Sequence, residues 1–157
     1  VPRSPARVLI GWTAGSATVD LVQLLPALAV VIALAPVTPV AAAALLCSVA
    51  AVLLLANAIG CAASAAGGGP GEVLLDVMVI LAPLLFLGGL FTGVPRDGWR
   101  WIAALLDPFS YLHSAFINAL GGAPSFGPGA VLPAAAATAV AALGLIGLLA
   151  KPVLRRT

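Results

Sequence analysis

Four stretches of this chain are long, apolar and nearly free of charge: residues 17–35, 40–63, 73–92 and 130–150. A helix needs about 20 apolar residues to cross a bilayer, and each stretch is of that order. Backbone groups surrounded by lipid must find their partners within the segment, and the apolar-polar alternation of a barrel strand is absent. The pattern therefore predicts an all-α fold, a polytopic transmembrane bundle of four spans in a single domain, residues 1–157. Composition points the same way. Only 8% of the residues are charged and 62% are hydrophobic, whereas a soluble domain carries about 25% charged residues. A chain so poor in charge cannot cover a water-facing surface.

The breaks between spans set the topology. Pro36-Val-Thr-Pro39 leaves room only for a tight antiparallel hairpin between the first two spans. Residues 66–71, AGGGPG, separate the second from the third, and Glu72 and Asp76 open the third helix. Carboxylates there suit the positive end of the helix dipole. Arg3, Arg7, Lys151, Arg155 and Arg156 fall on one side of the membrane, and Arg96 and Arg100, both near Asp97, on the other. The side richer in Lys and Arg is cytoplasmic. Both termini are thus predicted inside the cell (plasma or inner) membrane, with residues 1–16 as a cytoplasmic interfacial segment. Trp12 and the apolar residues around Arg7 suit such a segment. Asp20 and Gln23 are expected on the first turn of the first span, near the interface, so that the span middles hold no ionisable group.

Residues 93–129 are then extracellular, and their first part departs sharply from the rest. Within GGLFTGVPRDGWRWIAALLDPFSY, residues 88–111, stand two Trp, two Arg, two Asp and two Pro. Asp97 is placed to cap a short helix over residues 98–106. Asp107-Pro108 stops that run and starts another, with Asp as cap and Pro at the first helical position, ending at Gly121-Gly122. Trp99, Trp101 and Tyr111 suit headgroup depth. The expectation is a partly re-entrant helical hairpin that caps the outer end of the bundle.

Chemistry is hard to find. Asp107, His113 and Ser114 are close in sequence, but adjacent helical residues point about 100° apart and no G-x-S-x-G elbow is present. GGGPGE lacks the Lys and hydroxyl of a P-loop. Cys47 and Cys61 on one helix lie about 21 Å apart, beyond disulfide reach. No His, Cys and carboxylate spacing suits a metal. A net charge of +2 gives no footprint for nucleic acid. No catalytic, cofactor-binding or metal-ligating residue is expected, and any cargo is expected to be apolar or amphiphilic.

The order of features resembles the C-terminal half of the type-2 class of ABC transporter permeases. Leu84-Leu-Phe-Leu-Gly-Gly-Leu-Phe91, then Pro95, then Trp99 or Trp101, then Asp107-Pro108-Phe-Ser-Tyr111, a last span and a basic tail follow the family's sequence of elements. VPRSPARVLIG at the start is similar to its cytoplasmic segment after the second span. Gly88 stands where the family often has Ser, Thr92-Gly93 where Pro is common, and Phe116 or Ile117 where Arg often follows. The family usually has six spans, so the resemblance implies that two precede Val1; a chain opening on Val with Met78 as its single Met fits that, or an alternative start codon.

The resemblance implies a permease subunit of an exporter, not an enzyme. Two such subunits, identical or different, pair around a pathway, and a separate ATP-binding cassette subunit docks on the segment holding Pro2, Arg3, Arg7 and Trp12. Trp99, Trp101, Asp107, Pro108 and Tyr111 become the extracellular gate. Drugs, lipids and polysaccharides all remain compatible cargoes. Two other readings stay open from the residues alone: a membrane scaffold or assembly protein that moves nothing, and an intramembrane enzyme using Asp107, His113 or Ser114.

Overall fold

The computed structural model describes the backbone of residues 5–35, 37–66 and 69–153. The regular elements among them are all helical: α1 (Pro5–Leu34), α2 (Pro39–Ala66), α3 (Pro70–Leu87), α4 (Gly98–Leu106), α5 (Pro108–Ala119) and α6 (Pro128–Val153). Four helices are long and apolar enough to cross a membrane, over Arg7–Leu34, Pro39–Ala66, Pro70–Leu87 and Pro128–Leu149. The chain is therefore an all-α, multi-pass membrane protein.

At the centre stands α2, which packs most extensively on α6 and then on α1 and α5. Its buried positions explain this. Ala41, Ala44, Ser48, Ala51, Ala58 and Ala63 are small, so a neighbouring backbone can come close, and close packing is what holds helices together in lipid. Ala58 of α2 meets Ala142 and Ile146 of α6, all three without exposed surface. A second and larger cluster gathers Ala44, Leu45 and Val49 of α2 with Ala104 of α4, Ala115 and Ala119 of α5, and Phe126 and Val131. The two short helices thus belong to the same core as the spans. By contrast α3 buries no residue and touches only α2, α5 and α4 appreciably.

Three expectations need correction. Residues 5–16 do not form an element separate from the first span. α1 is one helix from Pro5 to Leu34, because neither Gly11 nor Gly15 breaks it and the Thr18 hydroxyl donates back to the Ala14 carbonyl at 2.7 Å. The third span ends at Leu87 and not at residue 92. Gly89 takes φ +82°, a left-handed conformation that turns the chain. The most consequential correction concerns Asp20. With α1 running Pro5–Leu34, Asp20 is its sixteenth residue of 30, so the carboxylate sits midway along the helix and not on its first turn.

Asp20 is held there by α2. The Asn57 amide donates one hydrogen to Asp20 Oδ2 at 2.8 Å and the other to the Leu53 carbonyl at 3.0 Å. Carboxylate and amide thereby join α1 to α2.

Candidate functional site

The segment of α4 and α5 begins with a close approach. A Cβ on Gly88 would stand 2.5 Å from Phe109 Cβ and 2.9 Å from the Leu84 carbonyl oxygen, so the end of α3 reaches the start of α5 only with glycine at 88. α4 follows at Gly98. Asp97 occupies the capping position as expected, but its side chain makes no capping hydrogen bond; Arg100 lies with its guanidinium 5.9 Å from the Phe86 ring centroid.

The Asp107-Pro108 break behaves as its sequence predicts. Asp107 Oδ1 accepts from the Phe109 N–H at 2.9 Å and Pro108 takes the first helical position. The second carboxylate oxygen, Oδ2, is buried without a partner, as is the Ser110 hydroxyl one turn later. Burial pushes the Asp107 carboxyl up to about 6, opposed by the Phe109 N–H bond. The group therefore holds its proton well above the usual carboxylate range.

α5 turns Phe109, Ser110, Ser114, Ala115 and Ala119 into the protein and leads to a turn at Gly121, whose φ of +77° suits a residue without Cβ. The following loop folds back on α4 and α5. Phe126 stacks on Tyr111 at 4.5 Å and on Trp101 at 5.3 Å, and its N–H donates to the Ser114 hydroxyl at 3.3 Å. The Tyr111 hydroxyl donates to the Leu105 carbonyl at 2.8 Å. Of the five predicted hairpin residues, Trp101 and Tyr111 are joined through Phe126, Asp107 and Pro108 cap and start α5, and Trp99, 70% exposed, stands apart. Asp107, His113 and Ser114 make no hydrogen bond to one another, since Ser114 is engaged with Phe126 and Asp107 with Phe109.

Between α1, α2 and α5 lies a cavity of about 510 Å³. One wall is α1, through Leu24, Ala27, Leu28 and Val31; another is α2, through Val49, Val52 and Leu53. Leu112, His113, Phe116 and Ile117 of α5 and Leu90 line a further side, and the cavity is open where Leu24, Leu90 and Phe116 are exposed. His113 is the only ionisable residue of that lining, and burial lowers its pKa from 6.5, which keeps the imidazole neutral near pH 7. A space of this size and character suits the apolar part of a small molecule or a lipid chain. The sequence missed it. Residues 24, 28 and 31 do mark one face of α1 at helical spacing, but the pattern does not distinguish a packed face from one lining a void.

Among the residues predicted to meet an ATPase, Arg7 is exposed on the first turn of α1, and Trp12 is 78% exposed further along it. Pro2 and Arg3 lie outside the described residues. In comparison with known proteins, the chain matches no family model, no curated protein and no solved structure.

Proposed function

We propose that the chain is a permease subunit of an exporter, lying in the cell membrane with both termini cytoplasmic and driven by a separate ATP-binding cassette subunit. The observation that carries this reading is the apolar cavity of about 510 Å³ between α1, α2 and α5. It offers an amphiphilic or apolar cargo a place among the spans, and α5, one of its walls, is tied into the α4–α5 hairpin. In this reading the hairpin is extracellular, dips partly into the outer leaflet and gates the cavity. Rotation of α5 opens the wall formed by Leu112 and Phe116, and ATP binding on the cytoplasmic side biases that equilibrium. A second permease subunit, identical or different, covers the sparsely packed side of the bundle. The order of motifs from Leu84 to Tyr111, similar to the type-2 ABC permeases, supports the same assignment.

The test is purification of the tagged chain from its native membrane in mild detergent. A stoichiometric ATP-binding subunit is expected to copurify, and Arg7→Glu with Trp12→Ala should release it without disturbing the bundle, as both side chains are exposed. A preparation free of any ATPase, from membranes where the chain is fully expressed, rejects the assignment and favours a scaffold.

A further inference from the structure

A second concavity, a shallow open groove of about 410 Å³, runs between α1, α2 and α3 and meets the apolar cavity at Leu53. Asp20 stands in it, half-buried, beside Asn57 and the Ser64 and Cys61 side chains of α2. Val73, Val77 and Leu81, three successive turns of α3, form the opposite wall. A carboxylate midway along a membrane helix is costly and calls for a partner. The partner present is a neutral amide, which supplies a single hydrogen bond and no charge. Arg7, the one cation on α1, is 13 residues away, about 20 Å along the helix; α2 and α3 contain no Lys or Arg at all. Glu72 and Asp76 precede Val73 and Val77 on α3 but point about 100° away from them, exposed, with Glu72 accepting from the Gly69 N–H, so Asp20 is the charge within the groove.

The groove is therefore electronegative with apolar sides. A metal ion needs several converging oxygens, and here the amide turns its N–H groups, not its oxygen, toward Asp20 and Leu53. An organic cation with a large apolar body meets both demands of the surface. We infer that this groove binds a hydrophobic organic cation, with the charge seated on Asp20 and the apolar body against Val73, Val77 and Leu81. The inference stands on the groove alone and does not need an ATPase or export.

Binding of radiolabelled tetraphenylphosphonium to the purified full chain in lipid nanodiscs tests it, with tetraphenylborate as the anion of the same shape. The cation is expected to bind saturably and the anion only to partition. Asp20→Asn keeps an oxygen for the Asn57 amide, so the α1–α2 bond survives while the charge is lost; it should weaken the cation at least about tenfold. Asp20→Glu should bind within a few-fold of the natural chain. Undiminished binding by Asp20→Asn, equal binding of the anion, or loss in Asp20→Glu to the same degree as in Asp20→Asn overturns the inference.

Discussion

α2 and α3 are both long and apolar enough to cross a membrane, yet α2 buries ten of its residues and α3 none. Hydropathy reports the solvent a helix tolerates. Packing depends on something else, the size of the side chains on each face. The buried face of α2 is built from Ala and Ser with Leu45, Val49, Val52 and Ile59 between them, and α6 answers with Ala135 and Ala142. α3 carries Leu74, Leu75, Met78, Val79 and Ile80, all exposed. Its contact with the rest of the chain is concentrated on α2 and, at its end, on α5. Lipid serves such a helix as well as protein does, and the loose seam beside it leaves room for the groove at Asp20.

The largest effect expected from this contrast lies at Ala58. With no exposed surface and Ala142 and Ile146 against it, Ala58→Phe has nowhere to place a ring, and overpacking of this kind costs about 3 kcal/mol or more. Leu75→Phe, on a position of α3 that is 63% exposed, should be close to neutral. Thermal unfolding of the two variants in one detergent measures the difference. Equal melting temperatures would mean that α2 and α6 do not hold the bundle together.

The same contrast marks what could be read from the sequence. Span number and the α4–α5 break were legible because each rests on local chemistry: length and apolarity for the spans, Asp-Pro for the break. Asp107 capping Phe109 needs only neighbouring residues. The Trp101–Phe126–Tyr111 stack needs the loop after α5 to return, and no pattern of spacing announces that. Asp20 was misplaced for a related reason. A span over residues 17–35 puts Asp20 on its first turn, whereas a helix that already begins at Pro5 carries it to the middle. The cavity and the groove are both spaces between helices, and a one-dimensional pattern describes only the helices.

The next effect in size concerns the segment of α4 and α5 that joins the two kinds of helix. Asp107 is 3% exposed and its pKa is raised from 3.8 to about 6. Because the folded chain binds the proton more tightly than the unfolded chain, the ionised group opposes folding. That penalty is absent below about pH 3.8, grows as pH rises toward 6 and is complete above it. Each unit corresponds to about 1.4 kcal/mol, which makes the full penalty about 2–3 kcal/mol. Asp107→Asn keeps an acceptor for Phe109 N–H, and Asn is as good a cap as Asp. It should therefore raise the melting temperature at pH 7.5 and leave it unchanged near pH 4. A difference between the two chains that does not vary over pH 4–7 would show that Asp107 does not titrate in this range.

The smallest effect, and the most local, is expected at Gly88, where the end of α3 meets the start of α5. An added methyl would lie 2.5 Å from Phe109 Cβ and 2.9 Å from the Leu84 oxygen, so in Gly88→Ala either α3 or the start of α5 must shift. α2 and α6 do not take part in that contact, and α3 buries nothing that would resist moving. The cost should therefore fall on α3, as about 1–2 kcal/mol in the free energy of its local opening, with little change in global melting. Hydrogen exchange in nanodiscs separates the two possibilities. Faster exchange confined to α3 and residues 88–94 means that the outer end of α3 is pinned by this one contact. Faster exchange spreading through α2 would mean that the two helices, so unlike in burial, nevertheless open together, and that α3 carries more of the bundle than its exposed surface suggests.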